Sequence, residues 1–272
     1  MKTARIAACT FVLSTLGTAN AIPIASSASG DNPAAISSTV DAYRVSLGAL
    51  NPNTIGSFGS GRREINWDGV PDAFSAPNNL PANFFNVNSP RGAVFSTPGS
   101  GFQVSANVGN VTATAVEFGN LNASYPALFA TFSAQRLFTA LGSTVTDVNF
   151  FIPGSTIPAT VSGFGAVFTD VDLPNISSLK FFDQSNALLG TFFVPATVGQ
   201  NEALSFVGVL FTTERISRVR ITAGNQSLSG LEIGDVVAMD DFIYAEPIPE
   251  PQTLALLLAG LGIVGFAARR AR

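Results

Sequence analysis

Between residues 62 and 244 the chain is written in short runs rich in Phe, Val, Ile and Thr, separated by Gly, Pro, Asn and Asp. That punctuation excludes most folds. Short β-branched and aromatic runs suit strands, whereas a helix needs a longer unbroken period of 3.6 residues. Roughly ten to twelve strands are expected on this pattern. The candidates are 62–67, 93–97, 102–106, 128–133, 145–152, 166–169, 178–182, 188–194, 204–211, 216–221 and 236–244. Asp183-Gln184-Ser185-Asn186 lies between Lys180-Phe181-Phe182 and Leu188-Leu189, a polar turn joining two strands. Arg218 and Arg220 alternate with Val219 and Ile221, which marks a half-exposed strand. Spacing is irregular, so repeat architectures are disfavoured. The expected fold class is all-β, an antiparallel β-sandwich of jelly-roll-like character.

The chain has 23 Phe against one Trp and three Tyr. Aromatic platforms for sugars favour Trp and Tyr, whose polar edges tolerate water, so phenylalanine spread over many strands reads as core. Trp67, Tyr125 and Tyr244 are the aromatics that suit a ligand face.

Ahead of the strands, residues 22–38 are small, polar and without periodicity, and read as a loose lead-in. Val40, Tyr43 and Leu47 have helical spacing before Gly48, which predicts a short helix over 40–47. Residues 51–61 read as a loop, which completes a lead-in over 22–61 and places the sandwich at 62–246.

Both termini carry targeting signals. Lys2 and Arg5, an apolar stretch over 6–16, and Ala19-Asn20-Ala21 form a signal peptide with cleavage after Ala21, so the leader is 1–21. At the other end Pro249-Glu250-Pro251 precedes a nearly uninterrupted apolar run over 253–268 and then Arg269, Arg270 and Arg272. That run reaches about 24 Å as a helix, short for a membrane span but usable with thinning or snorkelling. The arginines stay cytoplasmic by the positive-inside bias, which places the rest of the chain across the membrane. The combination over 247–272 resembles the PEP-CTERM sorting tail of Gram-negative bacteria. The resemblance implies an exported precursor, anchored transiently in the inner membrane and processed by an exosortase before release to the envelope or the extracellular matrix.

The single cysteine, Cys9, falls in the leader, so the mature chain has none, and disulfides and cysteine chemistry are excluded. There is no histidine, which removes Ser-His-Asp and Cys-His catalysis and most zinc or iron sites. Five of the 14 basic residues lie in the processed ends, leaving about 9 against as many as 18 acidic ones, a net charge near −9. Such a surface disfavours nucleic acid and the charge of anionic headgroups, and favours cations.

The most distinctive string opens the strand region: Arg62-Arg63-Glu64-Ile65-Asn66-Trp67-Asp68-Gly69-Val70-Pro71-Asp72. Strand alternation puts Glu64, Asn66 and Asp68 on one face, and a turn at Gly69 returns Asp72 towards them. With Asp240 and Asp241 from the last strand, these side chains offer hard oxygen ligands for calcium. Alternation allows only one of Asp240 and Asp241 to face inward. The competing reading pairs Glu64 with a neighbouring arginine and uses Asp68 and Asp72 in turns. Asp170 and Asp172 offer a second, weaker cation pair. Gly163-Phe164-Gly165, Phe206-Val207-Gly208-Val209 and Met239-Asp240-Asp241-Phe242-Ile243-Tyr244 resemble, over 161–244, lectin-like sandwich domains found ahead of PEP-CTERM tails. That resemblance implies a glycan or calcium role and transfers no binding residue. The expected function is non-catalytic: a structural or polysaccharide-binding component of biofilm or exopolysaccharide. The alternative is a calcium-dependent carbohydrate-active hydrolase or lyase using paired carboxylates.

Overall fold

The computed structural model describes residues 22–213, 216–228, 234–249 and Arg269. Ala19, Ala21, Glu250, Pro251, Arg270, Arg272 and the apolar run lie outside them. Among the described residues no helix is long and apolar enough to cross a membrane.

In chain order the elements are β1 (Ile24–Gly30), α1 (Pro33–Leu47), β2 (Arg62–Ile65), α2 (Phe84–Val87), β3 (Ala93–Ser96), β4 (Gly101–Val104), β5 (Phe138–Leu141) and β6 (Val145–Phe150). There follow β7 (Ala159–Thr160), β8 (Gly163–Thr169), β9 (Ser178–Phe182), β10 (Leu188–Phe193), β11 (Leu204–Leu210), β12 (Arg218–Thr222), β13 (Ala238–Ala245) and β14 (Ile248–Pro249). The protein is mostly β and its sheets are antiparallel. One sheet runs β1-β11-β8-β13-β5-β4 with β2 also on β13, a second runs β10-β9-β12-β6-β3, and β14 pairs with β7.

The β9–β10 hairpin forms as its turn residues dictate. Asp183 Oδ1 accepts the N–H groups of Ser185 and Ala187, each at 2.9 Å, and Asn186 takes φ +63°. In β12, Arg218 and Arg220 both reach Asp147 on β6, at 2.9 and 2.8 Å, while Val219 and Ile221 are buried. The expected strand over 128–133 does not form. The Leu128 and Phe129 N–H groups close a turn on Tyr125 O, and further on the donors go to side chains: the Ala130 N–H to Thr169 Oγ1, and those of Phe132 and Ser133 to Asp240. The apolar run FTAL just beyond it forms β5.

Within the expected loose lead-in, β1 is an edge strand of the larger sheet and α1 follows it directly. Strand β1 pairs with β11 along its whole length, from Ile24 opposite Leu210 to Gly30 opposite Leu204. Its sequence, IASSASG, has low strand propensity, and backbone pairing rather than side-chain burial holds it. Helix α1 begins seven residues before the expected Val40, because Asn32 caps it by accepting the Ala35 N–H at 3.2 Å and Pro33 occupies its first turn. Ile36, Val40, Tyr43 and Leu47 form its buried stripe. The stripe lies on a glycine floor: Gly165 and Gly208 are register partners, and a Cβ on either would fall 2.9 Å from the Tyr43 ring. Tyr43 completes the contact by donating its hydroxyl to Val209 O at 3.0 Å.

Phenylalanine fills the space where side chains of the two large sheets meet. Phe150 of β6 contacts Phe164 of β8 and Tyr244 of β13, and Phe95 of β3 contacts Phe138 of β5. Each such ring contributes about 1.5–3 kcal/mol by burial. Trp67 stacks on Phe138 with centroids 4.1 Å apart and meets Phe85 and Phe242 edge-on. Trp67, Tyr125 and Tyr244 are all buried, so none presents a ligand face. The polar edges of Trp67 and Tyr244 are used internally: Trp67 donates to Asp240 O at 2.9 Å and Tyr244 to Arg91 O at 3.0 Å.

Candidate functional site

The acidic residues of the first and last long strands of the core meet at a defect in β13. On one side this strand pairs with β8; on the other it pairs with β5 through Met239 and with β2 from Phe242 onward. Between those two neighbours its register to β8 slips, Met239 facing Phe168 and Phe242 facing Ala166, so one extra residue is inserted. Such a bulge breaks the alternation of side chains. Asp240 and Asp241 are consequently both buried and both reach Ser133, against the expectation that only one faces inward. The Trp67 indole N–H occupies the Asp240 carbonyl at the split.

These carboxylates hold the 132–136 loop by its backbone. Asp240 Oδ2 accepts the N–H groups of Phe132 and Ser133 at 2.6 and 3.2 Å, and Asp68 Oδ1 accepts those of Gln135 and, at 3.0 Å, Arg136. The Ser133 hydroxyl lies 2.7 Å from Asp241 Oδ1 and 3.3 Å from Asp240 Oδ1. One hydroxyl proton serves one of them at a time. Burial first, then the charge of Asp241, raises the Asp240 pKa well above that of a free aspartate. Burial also raises Asp241, against the Ser133 hydroxyl and the Arg44 charge, and raises Asp68, against its two N–H donors.

Arginines contact Asp241, Glu64 and Asp72. Arg44 on α1 contacts Asp241 at 2.9 Å and Glu64 at 3.2 Å, Arg62 contacts Glu64 at 2.6 Å, and Arg136 contacts Asp72 at 2.6 Å. The left-handed φ of Trp67, +63°, ends the alternation after Ile65. Asn66 is exposed beside a small cavity with Val70 and Phe85, apart from Asp68, which lines a polar cleft of about 150 Å³ with Asn107, Gln135 and Arg136. Of the six residues named for calcium, Asn66 thus lies apart, and Glu64, Asp68, Asp72, Asp240 and Asp241 each already have protein donors. Among the described residues no three acidic side chains are grouped to hold a metal. Asp170 and Asp172 are likewise separated, because Asp170 takes φ +66° at the end of β8 and Asp172 turns to accept the Gly199 N–H. The sequence reading missed Arg44, Ser133 and Arg136, which lie far in sequence from the site carboxylates they contact and carry no local motif.

A second arrangement fixes the start of the tail. Glu246 and Arg63 form a buried pair, and Glu246 further accepts Asn51 Nδ2 at 2.8 Å and the Phe58 N–H at 3.2 Å. Two residues on, Ile248 and Pro249 pair with Thr160 and Ala159. Residues 247–272 match the PEP-CTERM protein-sorting motif. The match covers the tail alone. No curated protein matches the chain. The sorting motif thus begins at Pro247, directly after a buried carboxylate, and its first described residues are extended against β7.

Proposed function

We propose that the protein is an exported, exosortase-processed component of the cell envelope or extracellular matrix, with a non-catalytic structural or polysaccharide-binding role on a lectin-like β-sandwich scaffold. The sorting motif at 247–272 carries this reading. The membrane and the exosortase are partners of the precursor only. Two layers of antiparallel sheet that share a phenylalanine core support a rigid scaffold. The cleft lined by Asp68, Asn107, Gln135 and Arg136 presents planar amide and carboxylate groups, which suit hydroxyl-rich ligands. The hydrolase or lyase alternative has weaker support, because carboxylate-pair chemistry needs two carboxyl groups flanking one bond. Of the grouped carboxylates only Asp68 lines this cleft; Asp240 and Asp241 are buried against Ser133.

The test is made on the native producer. Wild type is expected to yield tail-free protein outside the inner membrane, and Glu250→Ala or tail deletion to abolish that product. Unchanged processing overturns the sorting reading. Glycan-array binding without release of reducing ends supports the binding role, and turnover lost on Asp68→Asn would favour the hydrolase.

A further inference from the structure

The chain leaves its described fold beside a rim of two loops that lack ionisable residues and expose apolar side chains. Two loops flank the exit at Pro249, which lies opposite Ala159. The 50–61 loop reaches it through Glu246, which holds Asn51 and Phe58, and through Ser60 and Gly61, which share a cleft of about 140 Å³ with Ile248. The 151–158 loop runs straight into β7. The two loops meet where the Gly56 N–H donates to Pro153 O at 2.9 Å and Ile55 rests on Gly154. Between them they expose Leu50, Ile55, Phe58 and Ile157, at 56, 74, 50 and 45%. Neither loop contains an ionisable residue, in a chain whose exported part is acidic.

The sequence fixes how far this rim stands from lipid. Only Glu250, Pro251 and Gln252 separate Pro249 from Thr253, where the apolar run begins. Fully extended, that stretch spans at most about 14 Å. The headgroup layer on one side of a bilayer is itself about 5–7 Å deep, and an apolar run shorter than the hydrocarbon core draws its ends inward.

We propose that this rim is a membrane-contact face: in the anchored precursor the 50–61 and 151–158 loops rest on the outer leaflet, with Ile55, Phe58 and Ile157 at the headgroup–acyl boundary. The inference rests on the tail-anchored reading above. The contact is apolar rather than electrostatic, since an acidic protein approaches an anionic bilayer best through a face without carboxylates. Cleavage of the tail removes the tether, and a few apolar side chains are then too weak an anchor to retain the protein.

The chain without its leader has no cysteine, so single cysteines report position cleanly. Residues 22–272 are reconstituted through the tail into phosphatidylethanolamine–phosphatidylglycerol vesicles, with an environment-sensitive fluorophore at Phe58→Cys, Ile157→Cys or Val198→Cys. Val198 is exposed and follows Thr197, whose N–H bonds to Val171 beyond the far end of β8. The expected result is a blue shift and quenching by lipid-borne quenchers at 58 and 157, and an aqueous signal at 198. Aqueous signals at all three positions on protein that floats with the vesicles overturn the contact and leave the anchoring intact. Failure to float overturns the contact together with the anchoring on which it rests. Hydrogen exchange on the unsubstituted chain gives an independent measure: amides of 50–61 are expected to exchange more slowly on vesicles than after proteolytic removal of the tail, and equal rates overturn the proposal. Protection seen only in membranes containing the processing enzyme assigns the face to that enzyme instead, against the lipid contact.

Discussion

Arg63 and Glu246 face each other as a fully buried two-pronged pair, Nε to Oε2 at 2.6 Å and Nη2 to Oε1 at 2.8 Å, linking the first strand of the core string to the residue before the sorting motif. The remaining Arg63 donors reach the carbonyls of Pro52, Gly56 and Pro90, so the guanidinium also gathers the loops around the exit. Removing either partner leaves an uncompensated buried charge. Glu246→Ala or Arg63→Ala is expected to destabilise the domain by about 3–5 kcal/mol, and the Arg63→Met, Glu246→Leu double variant by less than the sum of its singles. Urea denaturation of the four proteins measures both.

A buried acid with a raised pKa gives a pH dependence of definite sign. In the folded state Asp240 keeps its proton to higher pH than in the unfolded chain, so its contribution is present below the unfolded value and is lost as pH rises through the folded one. Asp240→Asn mimics the protonated form. The melting temperature of the variant relative to wild type is expected to rise from about pH 4 upwards, where free aspartates ionise. A pH-independent difference would contradict the shift.

The glycine floor under α1 makes a steric prediction. Gly208→Ala places a Cβ 2.8 Å from Phe206 and 2.9 Å from Tyr43, an overpacking expected to cost about 1–3 kcal/mol. Pairing it with Tyr43→Leu, which shortens the facing side chain, is expected to recover part of the loss. Thermal denaturation of the single and double variants checks this.

Because arginine and backbone N–H groups occupy the clustered carboxylates, chelator and added calcium are expected to leave the melting temperature unchanged. A stabilisation of several degrees by calcium that Asp68→Asn abolished would restore the metal reading.

Strands with their own turn chemistry were legible: β9 and β10 follow from the Asp183 to Asn186 turn, and the exposure of β12 from its arginines. The helix was half legible, since its buried stripe shows in Val40, Tyr43 and Leu47, while its start depends on the cap at Asn32 and Pro33. Strand β1 was not, because Ser, Ala and Gly pair through backbone alone. Residues 128–133 misled for the opposite reason, being apolar enough for a strand yet bonded to side chains of β8 and β13. At the site, the acidic residues stood out as types, but a one-residue insertion in register leaves no trace in composition. It decides that Asp240 and Asp241 face the same serine and hold its loop by backbone and hydroxyl.

The burial of Glu246 also bears on the lifetime of the finished protein. A chain cut within the sorting motif ends only a few residues beyond a carboxylate held by Arg63, Asn51 and the Phe58 amide. Carboxypeptidases that nibble at a newly made end need loose backbone to feed on. Here they would meet an anchored residue almost at once, so trimming is expected to halt before it reaches the last long strand.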